Sequence, residues 1–532
     1  FYIKRFPPAN DLSKYKELSF KRFSKAFHTK LNILIKNHIR SWEKLWQKAD
    51  ILIEGTANLQ QNLRFNIYHM LTCAHTDGGF SSIGARTLTG EGYRGHIFWD
   101  TEIFLVPFYL FNFPEVAKSL LLYRYKRLDI ARQLAKKEGF VGAKFPWESA
   151  DTGSEETPEW AKDIDGSIIK IHTHKLEHHI TADISYAFYK YYLVTGDDKF
   201  MQDFGYEVMF EAARFWASRS LLNKKRKRYE INNIIGPDEF HIDVNNNAYT
   251  NMAAKWNLIT AYKMFHKIKR DLPLVFHCLR KKLDLKDKEV KSWKKIAHLL
   301  SVNINKYRVI EQFDGYFKLK KVLLKQTDEN GIPILSKRLK TKDLDKTQLV
   351  KQADTLMLLY LLSDVYSQKT KKANYDFYVK RAVHKSSLSP SAHSIIACEC
   401  ADLKRAYDLF NVSLRTDISN LYGNTKEGMH GASLGGTWQA VIFGFAGVGI
   451  KKERLWINPR MPRTWRKMVF SLFWRGNMLQ LELTNDSIKL KAISKKKKGI
   501  EIGIFDKINY IKSNKRYTFK RRKPVLAEEY HY

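Results

Sequence analysis

The sequence predicts a mainly α-helical protein, a large helical toroid followed by a small β domain. Three observations carry that reading. From about residue 56 to 450, apolar segments of helix length alternate with polar loops, with almost no β-branched alternation. The stretch Leu356 to Leu362 is apolar on every side, which suits a helix enclosed by other helices. After about residue 451 the period changes to two, as Leu479, Leu481 and Leu483 alternate with Gln480, Glu482 and Thr484.

Taken in order, residues 1–55 read as a basic helical arm, with Phe27, Leu31, Leu34 and Ile35 at helical spacing, then Ile39, Trp42 and Leu45. The first residue is Phe1 and no signal-like segment follows, so the true beginning of the chain is expected to lie elsewhere. Within residues 56–450, Asp100 is placed as the N-cap of a helix opening at Thr101. Gly196 is placed as the end of a helix on which Ile180, Ile184, Phe188 and Tyr191 share a face. Thr250 is placed at the entrance of the helix carrying Met252, Trp256 and Ile259. In residues 451–532, Arg475-Gly476-Asn477 and Asn485-Asp486 are turns around the alternating strand.

The chain has 532 residues, with 92 Lys+Arg against 55 Asp+Glu and a formal charge of +37; 44% of residues are hydrophobic and 13% aromatic. That is too apolar for a disordered basic tail. The lysines are spread along the chain, with short runs at Lys224 to Arg228, Lys495 to Lys498 and Lys520 to Lys523, and there is no zinc-finger, RRM or KH pattern. A solvated lysine-rich surface is favoured over a nucleic-acid partner. Cys73, Cys278, Cys398 and Cys400 are too few for a disulfide framework; Cys398 and Cys400 read as core thiols rather than a zinc site, and a reducing, cytoplasmic compartment is expected, with no metal site. No membrane span is expected, because Ile97 to Phe113 is broken by Asp100 and Glu102.

The chemistry is concentrated in loops between helices. Gly95-His96-Ile97-Phe98-Trp99-Asp100-Thr101-Glu102 packs aromatic faces beside carboxylates, and Phe145-Pro146-Trp147-Glu148 leads into the acidic run that ends at Glu156. A sugar stacks its C–H face on an aromatic ring and bonds its hydroxyls to carboxylates, so such a mixture suits it; a buried Trp with a capping Asp accounts for the first loop as well. Gly236-Pro237-Asp238-Glu239-Phe240-His241 holds Glu239 on a rigid turn beside an aromatic, where desolvation would raise its pKa toward that of a general acid. Glu427-Gly428-Met429-His430, followed by Ser433, Gly435 and Gly436, offers small residues, hydroxyls and a His for an anion, while glycines in helix packing account for it equally.

These blocks, in this order and with Tyr249-Thr250-Asn251 and Lys351-Gln352-Ala353-Asp354, resemble glycoside hydrolase family 65, the inverting α-glucoside phosphorylases of maltose, trehalose, kojibiose and nigerose. The resemblance implies an (α/α)6 barrel carrying the active site, a helical N-terminal linker before it and a small C-terminal β domain after it. The family's N-terminal β-sandwich has no counterpart in this sequence. The resemblance implies Glu239 as general acid, and Trp99, Asp100, Trp147, Glu148, Lys351 and Gln352 as sugar contacts. His430, Ser433 and Gly435 are implied at the phosphate site, with Ser386 and Ser387 within reach of the anion. The partners implied are a disaccharide and inorganic phosphate, with no organic cofactor, and a homodimer in the full-length form. Pro146 to Gly153 and Glu177-His178-His179-Ile180 look more like the kojibiose type.

An inverting glycosidase needs one carboxylic acid and one carboxylate to activate water; phosphate, already anionic, replaces the second. The competing readings are an inverting hydrolase with Glu427 as the base, a basic polyanion-binding protein, and an inactive remnant.

Overall fold

The computed structural model describes residues 12–55, 58–73, 76–162, 168–336, 339, 341–494 and 499–521. The lysine run at 495–498 and the end of the run at 520–523 lie outside them.

Six helices form a closed inner ring: Val106–Asn112 with the π-turn Thr101–Leu105 before it, Ile180–Thr195, Ala248–Asp271, Thr355–Leu361, Ser389–Glu399 and Gly431–Gln439. Each touches the next in chain order, and the last touches the first. An outer layer of Leu59–Cys73, Pro114–Lys126, Tyr206–Arg219, Asp287–Leu299, Gln368–Tyr378 and Leu403–Arg415 packs around them. This is the (α/α)6 barrel. The inner helices are covered on both faces: Leu356 to Leu359 are buried, which is why that helix is apolar all round, and so are all residues from Ser389 to Cys398. The core is continuous and includes Trp99, Trp216, Trp293 and Trp438.

The helix ends correct two expectations and bear out a third. Asp100 makes no side-chain cap and is itself helical, at φ −48° and ψ −41°. Asn247, three residues before Thr250, is the cap: its side chain accepts the Thr250 N–H at 2.9 Å, and Thr250 is inside the helix. Gly196 closes its helix in the left-handed conformation, at φ 66°, which costs a glycine nothing.

The tail is two β-sheets. Strands Lys467–Trp474, Asn477–Leu483, Ser487–Ile493 and Arg516–Lys520 form one antiparallel sheet, and Leu479, Leu481 and Leu483 are buried as the alternation predicts. Arg475 and Gly476 turn at positive φ. The second sheet begins at Val448 and pairs Arg454–Ile457 in parallel with Ile500–Ile504.

The arm contains helices Leu12–Phe27 and Leu31–Ala49, as expected, but Ile51–Glu54 is a strand. It pairs antiparallel with Lys467–Trp474, Ile51 opposite Phe470, and so joins the tail's sheet from before the barrel. Two short hairpins, Trp160–Lys162 with Ile168–Lys170 and Leu221–Asn223 with Arg228–Glu230, also interrupt the helical stretch. The second carries the first basic run, whose Arg226 and Arg228 are paired with Glu230 and Asp314.

Candidate active site

The segments that lead into the inner helices open at one end of the barrel, around a cavity of about 620 Å3. That size accommodates a disaccharide. Trp99, Asp100, Trp147, Glu148, Glu239, Lys351, Gln352, Ser386, Ser387 and His430 all line it, although they come from six separate segments. Ser433 and Gly435 do not. Ser433 is enclosed, with its hydroxyl donating to Ser413 O at 3.1 Å. A Cβ on Gly435 would lie 2.2 Å from Phe104 O, so this glycine is there to let two inner helices touch. Gly431 and Ala432, at the start of the same helix, reach the cavity instead and bring to it the positive end of the helix dipole.

The Gly-Pro turn separates two neighbouring carboxylates. Asp238 is buried and accepts from Lys351 N–H at 2.7 Å, from His241 Nδ1 at 2.7 Å and from Gln312 Nε2 at 2.8 Å. Burial disfavours the charged His241 ring, yet Asp238 outweighs this and raises its pKa. Asp354 Oδ2 accepts from Asn247 Nδ2 at 2.9 Å beneath the turn, where a Cβ on Gly236 would collide with both side chains. Glu239, by contrast, is 31% exposed and its Oε2 lies 3.0 Å from Lys351 Nζ. In place of the desolvated carboxyl expected from the sequence, the turn holds an ion pair facing the cavity. Burial disfavours the charged Lys351 amine, but Glu239 outweighs it and raises the amine's pKa.

The sugar-type wall is built from Trp99 and Trp147, whose rings both meet the edge of His179, at 4.7 and 5.4 Å between centroids. His179 is fully buried with Asp183 Oδ2 2.6 Å from Nδ1 and Glu177 Oε1 3.1 Å from Nε2. Burial opposes its charge, but Asp183 and Glu177 together hold the ring's pKa up at about 9. Beside the tryptophans, burial pushes the Asp100 carboxyl up to about 7, with Glu102 and Glu239 adding to the shift. Burial raises Glu148 too, against its 2.8 Å contact with His96 Nδ1. Glu155 folds the acidic loop back by accepting the N–H groups of Trp147 and Glu148, at 2.7 and 3.1 Å.

On the anion side, Asp417 accepts both the backbone N–H and the Nδ1–H of His430, at 2.9 and 2.6 Å. Arg86 Nη1 lies 2.8 Å from His430 Nε2; a guanidinium can only donate, so Nε2 is the acceptor in this contact. Arg86, Lys385, Tyr93, Arg94, His96, Tyr422 and Asn424 also line the cavity and were not singled out from the sequence. For Arg86 no sequence signal existed, since one arginine among 92 basic residues has no distinguishing neighbour. His96 stood inside a quoted block without a role. Glu427, the suspected hydrolytic base, is not among the lining residues; it is half exposed and 3.3 Å from Arg86 Nη2.

Residues 64–439 match the glycosyl hydrolase family 65 central catalytic domain, and residues 449–508 match that family's C-terminal domain. The chain belongs to glycoside hydrolase family 65. Among its relatives it is 44% identical over 461 residues to the kojibiose phosphorylase of Caldanaerobacter subterraneus, covering 86% of this chain and 60% of that one. It is 35% identical to the α,α-trehalose phosphorylase of Thermoanaerobacter brockii, over 93% of this chain and 62% of the other. A solved structure of a human-microbiome protein assigned as a kojibiose phosphorylase superposes with a TM-score of 0.86 at 30% identity, over 96% of this chain and 68% of that chain. The chain thus spans about 60% of the length of the first of these family 65 relatives.

Among the described residues no helix is long and apolar enough to cross a membrane. None of the four cysteines forms a disulfide; Cys73, Cys398 and Cys400 are buried, Cys278 is exposed, and burial pushes the Cys400 thiol up to about 12.

Proposed function

We propose that this site catalyses reversible phosphorolysis of an α-linked glucosyl disaccharide with inversion, yielding β-D-glucose 1-phosphate and a free sugar. The observation that carries the reading is the composition of one cavity. Glu239, on the Gly-Pro turn, faces it together with a sugar-type wall that includes Asp100 and Glu148 and an anion-type group of Arg86, Lys385, Ser386, Ser387 and His430. The kojibiose linkage is preferred, supported by the identity to kojibiose phosphorylases and by the Trp147–His179 packing at the blocks that suggested it.

In this reading the glucosyl unit stacks at Trp99 and hydrogen-bonds Asp100, Lys351 and Gln352. Sugar hydroxyls draw Lys351 away from Glu239 and cover the carboxyl, so that it takes up a proton and can donate it to the leaving oxygen. Phosphate, held by the cations and hydroxyls, attacks the anomeric carbon from the opposite face. The C–O bond to the leaving sugar breaks as the bond to phosphate forms, and the proton from Glu239 leaves with the released hydroxyl. Four cysteines that form no disulfide support a reducing, cytoplasmic setting.

The test is cleavage of kojibiose by the purified protein with and without inorganic phosphate. Turnover is expected only with phosphate, accompanied by β-glucose 1-phosphate; equal turnover in its absence would sink the reading.

A further inference from the structure

Arg86 is 4% exposed, lines the cavity and is anchored on two sides: Nη1 donates to Gly428 O at 3.0 Å and to His430 Nε2 at 2.8 Å. Its other arm, Nη2, donates to Glu427 Oε2 at 3.3 Å. We propose that Glu427 is an internal counter-ion of the phosphate subsite, which occupies the Arg86 guanidinium until phosphate displaces it and so sets the affinity for that anion. The proposal rests on the phosphorolysis reading above.

Four features support it. The first is asymmetry of mobility, because Arg86 is pinned while the Glu427 side chain is 50% exposed and has a way out into solvent. Second, the backbones on either side are locked together. Met429 N–H donates to Thr89 Oγ1 at 2.7 Å, Gly428 sits at φ 113°, and a Cβ on Gly90 would lie 2.3 Å from Glu427 O. Displacement is therefore a rotation of one side chain and needs no loop movement.

The third feature is charge. Arg86 also donates to His430 Nε2, and Asp417 takes the Nδ1–H of that ring, so the guanidinium is the cation that meets Glu427 in this cluster. A phosphate offers it more acceptor oxygens and more charge than one carboxylate does. Fourth, a Glu427 held on a guanidinium is kept as an ion-pair partner and away from any water in the cavity, which is the opposite of what a hydrolytic base requires.

The test is steady-state kinetics of the purified protein, measuring KM for phosphate and for disaccharide separately in Glu427→Gln, Arg86→Gln and Arg86→Lys. A half-exposed ion pair is weak, so Glu427→Gln is expected to lower the phosphate KM about threefold while the disaccharide KM does not follow. Arg86→Gln is expected to raise the phosphate KM roughly tenfold or more, with Arg86→Lys in between. A phosphate KM that stays level or rises in Glu427→Gln overturns the proposal. So does an unchanged phosphate KM in Arg86→Gln with wild-type thermal stability. Should Arg86→Gln fail to fold, sulfate inhibition of Glu427→Gln decides: it must tighten by the same factor as phosphate, and an unchanged inhibition constant overturns the idea. Failure of the phosphorolysis reading is seen separately, in the wild-type protein, as cleavage indifferent to phosphate.

Discussion

Asp238 and Glu239 are adjacent carboxylates with opposite demands. Asp238 carries the loop: Lys351 N–H and Gln312 Nε2 from distant parts of the chain converge on it with His241, three residues on, and the two distant donors are not visible from its neighbours in sequence. Glu239 is exposed to the cavity and touches only what the substrate would replace. Asp238→Asn is therefore expected to lower stability by about 2–4 kcal/mol, because an amide turns a donor toward donors in a buried network. Glu239→Gln is expected to leave the melting temperature within a degree or two and lower kcat by roughly 10²–10⁴. Calorimetry and initial rates on the two variants separate the roles. Glu239 was legible in the sequence because the Gly-Pro turn marks it. Asp238 and Arg86 were not, since what they do depends on partners at 312 and 351, and at 427 to 430, that only the fold brings near.

At the scale of elements, helix Gly431–Gln439 shows how a motif can mislead. The sequence left its glycines balanced between anion binding and packing, and the structure assigns Gly435 to packing. Gly435→Ala is expected to cost about 1–3 kcal/mol of stability through overpacking, with an unchanged phosphate KM in the folded enzyme; thermal melts and kinetics check it. The neighbouring inner helix Ser389–Glu399 buries His393, whose Nδ1 donates to Ser389 O at 3.0 Å, while His384 stacks edge-on at 4.6 Å. Burial pushes the His393 pKa down from 6.5 to about 4, reinforced by the nearby Arg405 and opposed by the Ser389 bond. The unfolded chain then takes up this proton first as pH falls. The stability His393 contributes is complete above about pH 6.5 and is lost between 6.5 and about 4, on the order of 3 kcal/mol. His393→Gln is expected to flatten that part of the curve of melting temperature against pH. Periodicity made such helices readable; which of them line the ring is a matter of long-range contact, and in the sequence it was available only through the family resemblance.

For the whole molecule, the charge of +37 has a smaller reach than its size suggests. Arginines such as Arg124, Arg132, Arg214 and Arg228 are consumed in ion pairs, and the excess is spread over lysines. What survives is a diffuse field that attracts anions and is screened by salt over about 10 Å at 0.1 M. Raising sodium chloride is expected to raise the phosphate KM about threefold or more by 0.5 M while the KM of the neutral disaccharide stays level, which rate measurements at several ionic strengths will show. The helical stretch and the β tail were legible from their two periods. The strand Ile51–Glu54 was not, because its partner lies more than 400 residues away in the chain and no local pattern announces such a pairing.

That strand has a further consequence. Lys467–Trp474 is flanked by Asn477–Leu483 on one side and by Ile51–Glu54 on the other, so the short segment is the outermost member of its sheet. It covers the N–H and C=O groups of a longer, half-apolar strand, the type of edge on which chains stick to one another. The cover leaves the ribosome more than 400 residues before its partner, which follows only after the whole barrel has been made. Four residues thus act as a clasp over a surface that would otherwise favour aggregation, and they can do so only once synthesis of the barrel is complete.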